Sequence, residues 1–285
     1  MNEPIFKAAL WMTGTLASFA LLGIAGRELA DDFTTFQILA FRSVVGLFIM
    51  VAVMQWFGWH HARTENLKWH LARNVIHIVG QGGWFYGIAY ITLAEVFAIE
   101  FTAPIWTALL AALFLGERLT SLRLIATGLG FAGILIILRP GVVEVSFAAL
   151  VVLIGAFAFA TAYTFTKYLT ARDSTIAIPF YMTIIQTPIV VLAALSDWGA
   201  WPAWADAPWV LIVGVTGLSS HYCIAQALRH ADASIVMPLD FLRLPLIAVV
   251  GFALYAEPFD PWVIGGAVVI FAGTYLLIRD GRRQS

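Results

Sequence analysis

The chain has 285 residues, 61% of them hydrophobic and 12% charged, with a formal net charge of −1. That is about half the usual share of charge, and with a mean hydropathy of +0.88 it points to a chain dissolved in lipid. A disordered chain, a basic nucleic-acid binder and a disulfide scaffold are excluded, the last because Cys223 is the one cysteine.

A bilayer-spanning helix needs about 20 apolar residues. Apolar runs of that kind fall near 6–26, 33–54, 71–91, 95–115, 122–138, 146–168, 177–195, 208–228, 233–255 and 261–279. Most interruptions carry charge or turn chemistry, as in Arg27 to Asp32, His60 to Lys68, Gly116 to Thr120 and Arg229 to Asp232. The third interruption, near Thr92, is very short. The sequence thus predicts an all-α integral membrane protein with ten transmembrane helices. Ten spans in 285 residues leave 28.5 residues for each helix and its loop, so no length remains for a separate soluble domain.

Orientation follows Lys and Arg. With the amino terminus in the cytoplasm, twelve of the sixteen, including Arg73 and Arg123, fall on the inner face. Arg27 and Arg139 fall outside, and Arg42 and Arg243 lie within the membrane. This bias predicts an even number of spans with both termini cytoplasmic. Acidic outer loops with Asp197 and Asp260 agree.

A shift of 140 residues places Glu117 on Glu257, Gly133 on Gly273, Arg139 on Arg279, Phe101 on Phe241 and Glu100 on Asp240. Each half ends in an apolar helix, a Glu, a short turn, a Gly-containing helix and an Arg. Five helices per half is odd, so the second copy enters the membrane from the opposite side. The expected units are residues 1–140 and 141–285, an inverted repeat of the kind used by secondary transporters.

Three passages carry a resemblance to a known family: FQILAFRSVVGLFIM, the stretch from APIWTALLAALFLGERL through GLGFAGILIILRP, and DFLRLPLIAVVGFALYAEPFDPWVIGGAVVIFAGTYLLI. They resemble the EamA-type branch of the drug/metabolite transporter superfamily, as two tandem units over nearly the whole chain. The resemblance implies ten helices in two inverted five-helix repeats, cytoplasmic termini, a central cavity and transport of small organic metabolites.

A charge in the bilayer core needs a partner or a hydrated cavity. Asp240 and Arg243 share a helix face and read either as a structural ion pair or as a contact for the charged ends of a substrate. Pro238 and Pro245 flank them and can loosen the helix. Glu100, with Pro104 and Thr107 beyond it, reads as a proton acceptor or as a hydrated acid at a cavity mouth. Arg42 can hold a carboxylate or serve as an anchor. The third helix has a polar face of His77, Gln81 and Trp84, with Gly80, Gly82, Gly83 and Gly87 keeping it thin. The repeat shift places His221 on Gln81, and Tyr222 and Gln226 share a face of the eighth helix. Trp11, Trp106 and Tyr163 are mid-span aromatics, suited to packing or to gripping a flat or cationic group. Trp56, Trp201 and Trp204 suit interface anchors. His60, His61 and His70 read as solvated, and no metal or cofactor is expected.

These readings favour a secondary transporter that alternates access for a polar or zwitterionic metabolite, such as an amino acid or its derivative. Within the family, S-adenosylmethionine and riboflavin are alternative cargoes. A coupled proton on Asp240 or Glu100 is an open possibility, as are exchange and facilitation; no nucleic-acid partner is expected, and the oligomeric state stays open. A membrane enzyme finds no support: His221 beside Ser219 and Ser220 lacks an orienting acid. A non-transporting sensor would be favoured by an aqueous domain.

Overall fold

The computed structural model describes residues 3–91, 93–138, 146–196, 198–243, 246–247, 249–250, 253 and 261–281. Thr92, Arg139, Asp197, Pro245, Glu257 and Asp260, named above, lie outside the described residues. Among the described residues every regular element is helical: α1 (Glu3–Ala30), α2 (Thr35–Phe57), α3 (Leu67–Tyr90), α4 (Leu93–Glu100), α5 (Ala103–Leu115), α6 (Ser121–Leu138), α7 (Phe147–Thr170), α8 (Ala177–Leu195), α9 (Ala207–His230), α10 (Ala233–Val236) and α11 (Pro261–Gly281), with 3₁₀ turns at Trp59–Ala62 and Met237–Leu242. By length and composition α1, α2, α7, α8 and α9 can each cross a bilayer.

Local chemistry sets several ends. Thr34 caps α2 in a reciprocal box with Gln37, each side chain accepting from the other's backbone N–H at 3.4 and 3.0 Å. Ser146 caps α7 through the Ala149 N–H. Gly116 closes α5 at φ +69°, a left-handed conformation that glycine adopts without a Cβ clash.

Helix pairs α1/α9, α3/α7, α2/α8 and α6/α11 form the framework. Glycines let two of these pairs approach closely. A Cβ on Gly83 of α3 would stand 2.7 Å from the Val151 carbonyl of α7, and one on Gly273 of α11 would stand 2.7 Å from the Ala126 carbonyl of α6. Without an aqueous drive between helices in lipid, such backbone proximity supplies the dispersion that holds a pair together. The main apolar core runs through the bundle and includes Phe19, Phe97, Phe101, Phe241 and Tyr163. Trp56 and Trp204 are 86% and 93% exposed near helix ends, where an interfacial anchor has to stand.

Three charged positions differ from the sequence reading. Arg73 was expected among the surface charges of one face, yet it is wholly buried on α3. Arg123 is buried too and pairs with Asp232 at 3.1 Å. His70, read as solvated, is buried with Nε2 2.8 Å from Oδ2 of Asp173. Asp173 also accepts from Thr64 at 2.7 Å and from Asn66 at 3.1 Å. One carboxylate in the α7–α8 loop therefore gathers the α2–α3 loop and the start of α3. Burial is affordable for these groups because each finds a hydrogen-bond partner, which hydropathy along the chain does not reveal.

Candidate functional site

Two of the apolar runs are broken at their charged residues. The run expected at 95–115 divides into α4 and α5, with Glu100 closing α4 and a turn at Phe101 and Thr102. Pro104 is the local cause: it has no N–H to give the Glu100 carbonyl four residues back, and its ring crowds that position. The run expected at 233–255 opens as α10 and tightens into the 3₁₀ turn that carries Pro238 and Asp240. Glu100 and Asp240 are thus both placed where a helix changes its course.

The breaks meet at Arg243. One nitrogen, Nη2, donates to Oε1 of Glu100 at 2.7 Å and to Oδ2 of Asp240 at 2.8 Å. The other oxygen of Glu100 accepts from the indole N–H of Trp84 at 2.7 Å. Three rings surround the guanidinium: Phe19, Phe97 and Phe101, with centroids 4.5, 4.9 and 5.3 Å away. Such ring faces stabilise a desolvated cation. Phe101 and Phe241 close the cluster edge to face at 5.9 Å. Oδ1 of Asp240 and Nε and Nη1 of Arg243 are buried without a hydrogen-bond partner among the described residues.

A second polar group lies on α3, α8 and α9. Nδ1 of His77 is 2.9 Å from the Gln81 amide nitrogen and 3.0 Å from that of Gln186. Gln186 also donates to Oδ1 of Asn74 at 3.0 Å, and Arg73 donates to the same oxygen at 2.8 Å. Arg73 reaches Thr166 of α7 through Nε at 3.2 Å. The rings of His77 and His221 meet edge to face at 4.4 Å. Arg42 lies along Gly217, donates to its carbonyl at 3.2 Å and reaches Sδ of Met182 at 4.0 Å. Gly217 has no Cβ where Arg42 passes, so the close approach depends on glycine.

Between the two groups is a narrow cavity lined by Arg42, Gln81, Trp84, Glu100 and His221, with Phe19, Phe85 and Phe159 as apolar wall. It has room for about one water molecule. An organic compound can enter only if helices move apart.

The structure brings Arg42, Gln81, Trp84, Glu100 and His221 to this cavity, and Asp240 and Arg243 join it through Glu100. Tyr163 is buried, stacked near Phe159, and lies within electrostatic reach of Glu100, Asp240, Arg243 and Arg73. Gln226 stands apart: it donates to the Tyr222 hydroxyl at 2.7 Å, and Tyr222 borders a separate, mainly apolar cavity with Met50 and Leu218. Trp11 packs on Tyr222, while Trp106 is exposed against Phe157. Arg73, Asn74 and Gln186 were not singled out from the sequence. Arg73, His77 and Gln81 are spaced by four, which places all three on one face of α3, and that was the available signal.

Comparison with known proteins agrees with this architecture. The EamA-like transporter family matches residues 6–139 and again residues 146–279. A riboflavin transporter of Rhizobium johnstonii is 30% identical, the match covering 97% of this chain and 92% of that protein. An S-adenosylmethionine uptake transporter of Rickettsia bellii is 24% identical over 99% of this chain and 98% of that protein. A solved crystal structure, 15% identical, superposes with a TM-score of 0.80 over 98% of each chain, which establishes the fold alone. The buried charges belong to a carrier embedded in a membrane rather than to an enzyme: the chain belongs to the EamA-like transporter family.

Proposed function

We propose that the protein is a secondary transporter that moves a small polar or zwitterionic organic metabolite, such as an amino acid or its derivative, across the bacterial inner membrane. In this reading residues 1–140 and 141–285 are inverted five-helix halves with both termini in the cytoplasm, and their rocking alternates access to a central site. The observation that carries it is the buried Glu100–Arg243–Asp240 cluster, set at two helix breaks beside a closed cavity. Discontinuous helices expose backbone and side-chain polarity at mid-membrane, which is how many secondary transporters bind polar cargo. Glu100, Asp240, Arg243, Gln81, Trp84, His221, Arg42 and Tyr163 are the cargo-contacting set, and Gln226, which donates to Tyr222 beside a separate apolar cavity, is outside it. A proton on Glu100 or Asp240 is the coupling ion of this scheme.

A second reading is a larger cargo, riboflavin or S-adenosylmethionine. The names of the relatives favour it, and so do the rings of Trp84, Phe85 and Phe159 on the cavity wall, which suit a flat heterocycle.

The test is counterflow into proteoliposomes with labelled amino acids, S-adenosylmethionine and riboflavin, preceded by a thermal-shift screen of the same compounds. A ligand at 100 times its Kd that binds the folded state alone adds about 2.7 kcal/mol of stability. Counterflow of one class that is lost in Asp240→Asn supports the reading. Transport by Asp240→Asn equal to wild type at every pH removes Asp240 from it.

A further inference from the structure

Among the described residues the polar centre holds three buried guanidinium groups, Arg42, Arg73 and Arg243, against two buried carboxylates, Glu100 and Asp240. Both carboxylates are taken by Arg243. Arg42 and Arg73 are 3% and 0% exposed, and their partners are a carbonyl, a thioether, a hydroxyl and an amide oxygen. No carboxylate is among them in the described residues. Among the described residues each retains a buried donor without an acceptor: Nε of Arg42 and Nη2 of Arg73. The two cations are within electrostatic reach of each other and of His77 and His221. Two like charges held in a dry interior, each with a spare N–H group, carry a desolvation cost that neutral hydrogen-bond partners offset in part and that an arriving counter-charge would offset further.

We propose that Arg42 and Arg73 form an oxyanion subsite, so that the cargo carries a carboxylate or phosphate on an apolar or aromatic body. This rests on the transporter reading and narrows it. Arg42 lines the cavity directly, so it makes the first contact. Arg73 does not line the cavity; it stands behind His77 and Gln186, holds the Asn74–Gln186–His77 chain in place and adds its positive field to that of Arg42. Planar guanidinium groups suit both oxyanions. The cargo's body then lies against Trp84, Phe85 and Phe159, and any cationic end faces Glu100. Arrival of one negative charge balances the centre, three positive against three negative.

The experiment uses the purified full chain in detergent, with thermal unfolding read at constant ionic strength. The probes are 3-phenylpropionate against 3-phenylpropanamide, flavin mononucleotide against riboflavin, and inorganic phosphate. The two pairs separate a carboxylate from a phosphate source. At least one anionic probe should give a saturable stabilisation, with an apparent affinity about tenfold or more above that of its neutral partner. Arg42→Gln and Arg73→Gln should each abolish that preference, and Arg42→Lys should retain part of it. Neutral partners binding as tightly, glutamine variants binding the anion like wild type, or no saturable shift from any anionic probe up to about 10 mM overturns the subsite. Should a glutamine variant not fold, the lysine variants decide: a preference unchanged in both Arg42→Lys and Arg73→Lys overturns it as well. Counterflow of the same compounds keeps the two readings separate. Anion binding without flux removes the transporter reading and leaves the subsite, whereas flux of neutral compounds unaltered by Arg42→Gln removes the subsite and leaves the transporter.

Discussion

Glu100 and Asp240 lie 140 residues apart in the chain and share one nitrogen of Arg243, at 2.7 and 2.8 Å. Each comes from a different helix break, so the arginine pins two ends of broken helices to one point. Neither acid has another cation within hydrogen-bonding distance among the described residues, and the whole arrangement is buried. Removing the cation should therefore be far more damaging than neutralising one acid. Arg243→Met should lower stability by about 3–5 kcal/mol, because two buried carboxylates lose their partner. Asp240→Asn should fold with a much smaller loss, since Glu100 still neutralises the arginine. Denaturant unfolding of both variants in detergent checks the order, and equal losses would contradict this account.

Trp84 tests the other side of Glu100. Trp84→Phe keeps an aromatic ring against Phe85 and Phe97 but removes the N–H that donates at 2.7 Å. A loss of about 1–3 kcal/mol is expected from the unpartnered carboxylate oxygen. Trp84→His, with a ring N–H, should recover part of it if the donor rather than the ring area is what counts.

The α3/α7 contact can be probed by a single methyl group. Gly83→Ala sets a Cβ 2.7 Å from the Val151 carbonyl, closer than real contacts allow, so the helices have to separate. A destabilisation of about 1–3 kcal/mol follows from overpacking. Gly82→Ala is the control: nothing lies within 4 Å of its would-be Cβ, so the melting temperature should hold or rise slightly.

Asp173 ties two loops through Thr64, Asn66 and His70. Asp173→Ala should release them without touching the helix pairs. Amide exchange should accelerate over residues 58–66 and 171–176 and stay unchanged through the middle of α7. Uniform acceleration would show instead that the carboxylate supports the whole bundle.

The helices were legible because apolar runs of bilayer length admit few other structures. Those expected at 177–195 and 208–228 match α8 and α9 to within two residues. Of the four glycines read as thinning α3, Gly80, Gly83 and Gly87 do face a packed neighbour, Gly83 against the Val151 carbonyl, whereas Gly82 has nothing within 4 Å of its would-be Cβ. The interior of 95–115 was read as continuous. A proline is visible in it, but a proline near the middle of an apolar run can kink a helix as readily as end one. Arg73 was read as a surface charge because hydropathy counts charges by position from a helix end. Its burial comes from Asn74, Thr166 and Gln186, two of which are about 90 and 110 residues away, and no local pattern announces such partners. Gln226 shows the converse. Its spacing from Tyr222 was read correctly as one face, but a helix face does not reveal which of two cavities it meets.

The narrowness of the central cavity has a consequence for the cell's energy supply. A file of water through this centre would let protons hop down their gradient whether or not cargo was present. With space for about one water molecule beside Trp84 and Glu100, and phenylalanine rings closed around Arg243, no such file forms through the described residues of this centre in this conformation. The centre is an insulator in this conformation, and a proton path through it needs the helices to part.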